Sequence, residues 1–60
     1  MKRLFKKGEH VKNVRDGKVM EVLHYIKDKS SYLVECAWFD IEKKEIRTLT
    51  LKQDKLLKAS

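Results

Sequence analysis

Tyr32-Leu33-Val34-Glu35-Cys36-Ala37-Trp38-Phe39 is the stretch from which the fold is read. Its side chains alternate. Tyr32, Val34, Cys36 and Trp38 fall on one face of an extended backbone, and Leu33, Glu35, Ala37 and Phe39 on the other. The first set is uninterrupted by charged residues, so it is the face expected to meet a core. Three more short apolar runs surround it: Val11 to Val14, Val19 to Ile26 and Ile46 to Leu51. Each has roughly the length of an ordinary strand, about 5–6 residues.

The breaks between the runs carry turn chemistry. Asp16-Gly17 is a strong turn signal. Lys27-Asp28-Lys29-Ser30-Ser31 and Asp40 to Glu45 are polar and read as loops. Gly8 and Gly17 are the only glycines, and there is no proline. The second run also fits a helix through Val19, Val22, Leu23 and Ile26. We read it as a strand because it is short, follows Asp-Gly without an N-cap, and precedes a short loop and a better strand. As a strand it directs Met20, Val22, His24 and Ile26 to one side. After the fourth run, Thr50-Leu51-Lys52-Gln53 matches a capping box, with Thr50 as N-cap. Leu51, Lys55, Leu56 and Lys58 then have helical spacing. A single helical turn is expected there, with Leu51 and Leu56 plugging one end.

The expected architecture is therefore all-β: a small SH3-like barrel of four to five antiparallel strands in a curved meander, closed by a short C-terminal helical turn. The expected core is Val11, Met20, Val22, Ile26, Tyr32, Val34, Cys36, Trp38, Leu49, Leu51 and Leu56. Sixty residues form one domain over residues 1–60, with residues 1–4 a flexible basic arm. A chain of this size buries only about 60% of the surface its unfolded form exposes, so its stability is marginal.

Charge narrows the partners. The formal net charge is +6, unevenly placed. Residues 1–18 hold seven Lys or Arg against two acids, and residues 41–60 hold six against three. The middle, residues 19–40, is net acidic, with two cations against four carboxylates. Basic ends of this kind are the electrostatic footprint of an anion or nucleic-acid surface, or else a lysine-rich solubilising surface. The residues assigned to a nucleic-acid surface are Lys2, Arg3, Lys6, Lys7, Lys12, Arg15 and Lys18, with Arg47 if the ends meet in space. Leu23, Tyr25, Leu33 and Phe39 fall on faces opposite the expected core. They are either tucked under loops by curvature, a homodimer seam, or a platform for bases or aromatic groups. As a patch beside an open strand edge they carry the alternative function, protein interaction or self-association.

No catalytic constellation emerges. Cys36 with His24 or His10 is the one candidate pair for nucleophilic chemistry, and a buried thiol without a nearby cation is inert. His10, His24 and Cys36 lack metal-ligand spacing, and no glycine-rich phosphate loop is present. No cofactor, metal or small-molecule substrate is inferred, and the chain is expected to be a non-enzymatic binding module. One cysteine fits a reducing cytoplasm. No apolar run follows Met1-Lys2-Arg3-Leu4-Phe5-Lys6-Lys7, so it does not read as a signal peptide, and no stretch has the apolar length to span a membrane.

Phe5-Lys6-Lys7-Gly8-Glu9-His10-Val11, Asp16-Gly17, Met20-Glu21-Val22, Val34-Glu35-Cys36-Ala37-Trp38-Phe39-Asp40, and the closing Leu51 and Leu56 resemble the YodC-like family of small uncharacterised bacterial proteins. The resemblance spans about residues 5–57, and its most specific block is Cys36-Ala37-Trp38-Phe39. This chain has Asp16-Gly17-Lys18-Val19 where the family usually has Gly-Gly-Pro, and a longer, more charged Lys27 to Ser31 loop. The resemblance implies an SH3-like barrel in a bacterial cytosolic protein and implies no particular activity. Gly8 to Tyr25 also looks like the entry hairpin of KOW or Tudor modules, which bind RNA, nucleoprotein machinery or peptides.

Overall fold

A computed structural model describes residues 2–29 and 31–59. Five strands form one antiparallel sheet: β1 (His10–Asn13), β2 (Val19–Asp28), β3 (Ser31–Asp40), β4 (Glu45–Lys52) and β5 (Leu56–Lys58). A 3₁₀ turn, Gln53–Lys55, joins β4 to β5. The spatial order is β4-β3-β2-β1-β5. This is the strand arrangement of a small SH3-like barrel, here left open between β4 and β5. Among the described residues no helix is long and apolar enough to cross a membrane.

The turns follow the local chemistry. After β1, Gly17 adopts φ +76° and its N–H donates to the Asn13 carbonyl at 2.7 Å. The Asp16 carboxylate accepts from the Lys18 N–H, an Asx turn that sends the chain into β2. β2 and β3 form a tighter hairpin than the polar segment suggested: Asp28 already pairs with Ser31. Ser30 lies outside the described residues. Between β3 and β4 the Asp40 carboxylate accepts from the N–H groups of Glu42 and Lys43.

The alternation expected of β3 holds from Val34 onward, whereas Tyr32, expected in the core, is half-buried and lies outside the core cluster. Val34 and Cys36 are fully buried, and Trp38 packs against the same core. Met20, Val22, Val11 and Leu56 complete the buried set, together with Phe5.

β2 departs from strict alternation. Its pairing with β3 shifts between Val22 and His24: Val22 opposes Cys36, while His24 opposes Glu35 and Tyr25 opposes Val34. The extra residue is a bulge at Leu23, and it exchanges the two faces over the remainder of the strand. Tyr25 consequently turns toward the core and Ile26 turns away, 39% exposed. Ile26 is therefore not a core residue, contrary to an even alternation along β2. Leu49 is also not buried, at 37% exposure. It sits on the core side of β4, opposite Cys36, but β4 is an edge strand and the open seam leaves it uncovered.

The capping-box expectation is corrected as well. Thr50 stays in β4, opposite Glu35. Lys52 occupies the N-cap position with no side-chain cap bond. Gln53, expected to reach back to a helix N-terminus, is instead buried and hydrogen-bonded to Tyr25 at the edge of the core. After the single turn the chain forms β5, pairing Leu56 with Asn13 and Leu57 with Lys12.

Candidate functional site

The N-terminal segment is tied to the sheet by side chains rather than by strand pairing. The Tyr25 hydroxyl donates to Gln53 Oε1 at 2.7 Å and accepts from the N–H groups of Leu4 (3.0 Å) and Phe5 (3.1 Å). Gln53 Oε1 also accepts from the Leu4 N–H, and its Nε2 donates to the Lys2 carbonyl at 2.9 Å. The Arg3 guanidinium lies 5.3 Å from the Tyr25 ring centroid and 5.4 Å from that of Tyr32. The two rings meet edge to face. Residues 2–4, expected to belong to a flexible basic arm over residues 1–4, make these contacts with the sheet; Met1 lies outside the described residues. The buried Gln53 side chain and the Phe5 N–H find the partners that a buried polar group requires.

Anchoring builds a cleft. Arg3, Phe5, Lys6 and Lys7 form one wall, and Val22, Leu23, His24 and Tyr25 around the bulge form the other. Gly8, at φ +91°, donates its N–H to the Val22 carbonyl and fixes the corner between them. Three permanent cations line this cleft with no carboxylate among its lining residues. Among the described residues none of the three is in an ion pair; the pairs present are Arg47–Asp40 (3.7 Å) and Lys58–Glu9 (3.7 Å), and His24 Nε2 lies 2.7 Å from Glu35 Oε1.

The other expected nucleic-acid residues go elsewhere. Lys2 is exposed and contributes its carbonyl to Gln53. Arg15 lines a second cleft with Asn13, Asp16, Leu49, Leu51 and Lys55. Lys18 lies over the Trp38 ring, its Nζ 4.2 Å from the centroid. Arg47 pairs with Asp40, and Lys12 is exposed on β1. The eight cations thus separate into an N-terminal group and a group along the open seam, with Lys12 apart on the outer side of β1.

The expected apolar patch is not one surface. Leu23 and Tyr25 line the N-terminal cleft, and Tyr25 packs on the core. Leu33 is half-buried on the outer face opposite Ile26 and Lys52. Phe39 is 57% exposed opposite Ile46, which is 68% exposed. The bulge at Leu23 separates Tyr25 from Leu33 and Phe39.

His24 and Cys36, the candidate nucleophilic pair, lie on opposite faces of the sheet. The bulge places His24 on the outer face, exposed and paired with Glu35. Cys36 is buried on the inner face. Burial, reinforced by the nearby Glu35 carboxylate, pushes the Cys36 thiol above its ordinary value, the opposite of what activates a nucleophile. No group of three metal-ligating side chains is assembled among the described residues.

Gln53 and Lys55 are site residues that sequence reasoning missed. A local fit to a capping box hides Gln53. Helical spacing with Leu51 and Lys58 disguises Lys55, which shares a cleft with Arg15. No family model, no curated protein and no solved structure matches the chain.

Proposed function

We propose that this chain is a non-catalytic module that binds nucleic acid, alone or within a nucleoprotein, through the cleft formed by Arg3, Lys6 and Lys7. The supporting observation is the convergence of those three cations on one concave surface lined by no acid. Isolated lysines on a convex surface are ordinary, but a concave cationic wall over apolar residues focuses the field on an anion. Arg3 is held in place by two tyrosine rings, which lowers the entropy lost on contact with a phosphate. Phosphate neutralisation fixes affinity and register and carries little sequence information. We further propose the cytosol as the setting and the YodC-like family as the relationship, on the Cys36-Ala37-Trp38-Phe39 block and the single buried thiol.

Binding of mixed DNA and RNA fragments measured against salt tests this function. Three phosphate contacts give a log K against log salt slope of roughly −2 to −3. Absence of binding at low salt removes the proposal.

A second function, self-association, is favoured by one observation. Phe39 and Ile46 oppose one another on the outer face beside the open edge of β4, and Ile41 in the following turn is 78% exposed. Exposed apolar residues at an unpaired edge are a template for strand addition. Sedimentation equilibrium at high protein concentration decides it: a strict monomer excludes it.

A further inference from the structure

Trp38 is the only tryptophan in the chain, and it is not fully buried. One side of the residue packs on the core beside Cys36 and Val34. Its ring is covered by the Lys18 ammonium, at 4.2 Å from the centroid. Trp38 opposes Arg47 across β3 and β4, and Leu49 and Leu51 follow on the same side of β4. The open seam leaves these leucines to line the second cleft with Arg15 and Lys55. An apolar strip of Trp38, Leu49 and Leu51 is therefore bordered by four cations: Lys18, Arg47, Arg15 and Lys55. Two carboxylates belong to this surface: Asp16 lines the cleft itself, and Asp40 lies at its Arg47 border. Asp40 holds Arg47 and the 41–44 turn, and Asp16 holds the Lys18 N–H.

We infer that the open seam beside Trp38 is a second contact surface, and that it takes unpaired bases of single-stranded nucleic acid. The inference rests on the function proposed above and specifies the class of ligand.

Three features select this occupant. A duplex buries its base faces, so it presents phosphates but no ring to stack. An unpaired base offers an apolar face of the size of the Trp38 ring and, a sugar away, a phosphate for the bordering cations; stacking of this kind tolerates any base. The Lys18 contact also has the right reversibility. An ammonium over a partly hydrated indole is a weak contact. A base displaces it at small cost, and the released ammonium stays in reach of the incoming phosphate. A purely apolar partner would offer no counter-charge to Lys18, Arg15 and Lys55, which disfavours a second hydrophobic protein surface here; Arg47 already has Asp40.

Trp38 emission in the full chain reads the event directly. The probes are an oligothymidylate and an oligoadenylate of about ten nucleotides, within the usual site size of small single-strand binders. A blunt duplex of matching length and inorganic polyphosphate serve as controls, all at low salt. The expected result is quenching of Trp38 by both single strands, while polyphosphate binds with no quenching and the duplex quenches weakly. Trp38→Leu, checked for folding by circular dichroism and thermal melting, is expected to lower single-strand affinity about tenfold and to leave polyphosphate affinity unchanged. If that variant does not fold, the emission of the native chain decides alone. Equal affinity for single strands and polyphosphate with unchanged Trp38 emission overturns the base contact and leaves the phosphate-binding function standing. Failure of every probe to bind overturns both.

Discussion

The Tyr25 hydroxyl and the Gln53 side-chain oxygen are joined by a 2.7 Å hydrogen bond across 28 residues of chain. Together they receive the backbone of Lys2, Leu4 and Phe5. This one bond connects β2, the 3₁₀ turn and the N-terminal segment, and so holds Arg3, Lys6 and Lys7 over the bulge.

Tyr25→Phe removes the hydroxyl and leaves the Phe5 N–H without its acceptor, while the Leu4 N–H keeps Gln53 Oε1. A part-buried polar group left unsatisfied costs about 1–3 kcal/mol. For a domain of this size each kcal/mol moves Tm by about 4–8 °C, so a drop of several degrees is expected by calorimetry. In a double-mutant cycle with Gln53→Ala the two effects should be non-additive, because each substitution breaks the same network. Strict additivity would show the two residues to be independent.

Phe5→Ala tests whether the N-terminal segment belongs to the fold. Phe5 is buried with the core, and truncating a buried phenylalanine costs about 3–5 kcal/mol. Total stability for sixty residues is of the order of 3–9 kcal/mol. The variant should be largely unfolded or close to it in urea titrations. A wild-type midpoint would mean that residues 2–5 are dispensable.

Lys6→Glu combined with Lys7→Glu reverses the charge of the cleft at two exposed positions. Exposed substitutions of this kind change stability by only about 0.5 kcal/mol. Nucleic-acid affinity at low salt should fall at least tenfold, and the salt slope should flatten by about 2. Unchanged affinity would place the phosphate contact elsewhere.

The buried thiol predicts a pH effect of definite sign. The folded state holds Cys36 above its ordinary pKa. The neutral thiol is therefore the form the fold favours, and its contribution is complete below the unfolded-state value of about 8.5. As pH rises past that value the unfolded chain releases its proton while the folded chain retains it, and stability falls. Urea midpoints should decline between about pH 8 and 10, and Cys36→Ala, though less stable throughout, should lack that component of the decline. Parallel curves for the two proteins would contradict the buried, protonated thiol.

Lys44 ends the 41–44 turn in the left-handed region, with φ +53°. That conformation costs an L-residue about 1–2 kcal/mol, and glycine recovers it while losing about 0.5–1 kcal/mol of backbone entropy. Lys44→Gly should therefore raise stability by up to about 1 kcal/mol, read as a higher urea midpoint. A lower midpoint would show that the lysine side chain contributes more than its backbone strain costs.

Much of the fold is legible locally. The alternation of Tyr32 to Trp38 identifies β3 and its buried face, because a two-residue period is a property of extended backbone alone. Asp16-Gly17 identifies the first turn through the φ that glycine supplies. The site is less legible. Lys6 and Lys7 stand out as cationic residues, but their grouping with Arg3 and their separation from Arg15, Lys18 and Arg47 depend on how the chain ends fold back. Even alternation places Tyr25 outward, since nothing in Val19 to Ile26 announces an extra residue in the ladder. Gln53 satisfies a local capping pattern, yet in the fold it finds a stronger partner in Tyr25.

By itself the sequence determined the features that arise between neighbours along the chain: strands at the apolar runs, turns at glycine and aspartate, an excess of positive charge at both ends. Only the tertiary structure decided which side chains of β2 turn inward beyond Leu23 and which cations share a surface. The Leu23 bulge exchanges the faces of β2, and it is specified by the pairing of Val22 with Cys36 and of Tyr25 with Val34. Such cross-strand contacts are set by packing between distant segments, and a local pattern does not contain them.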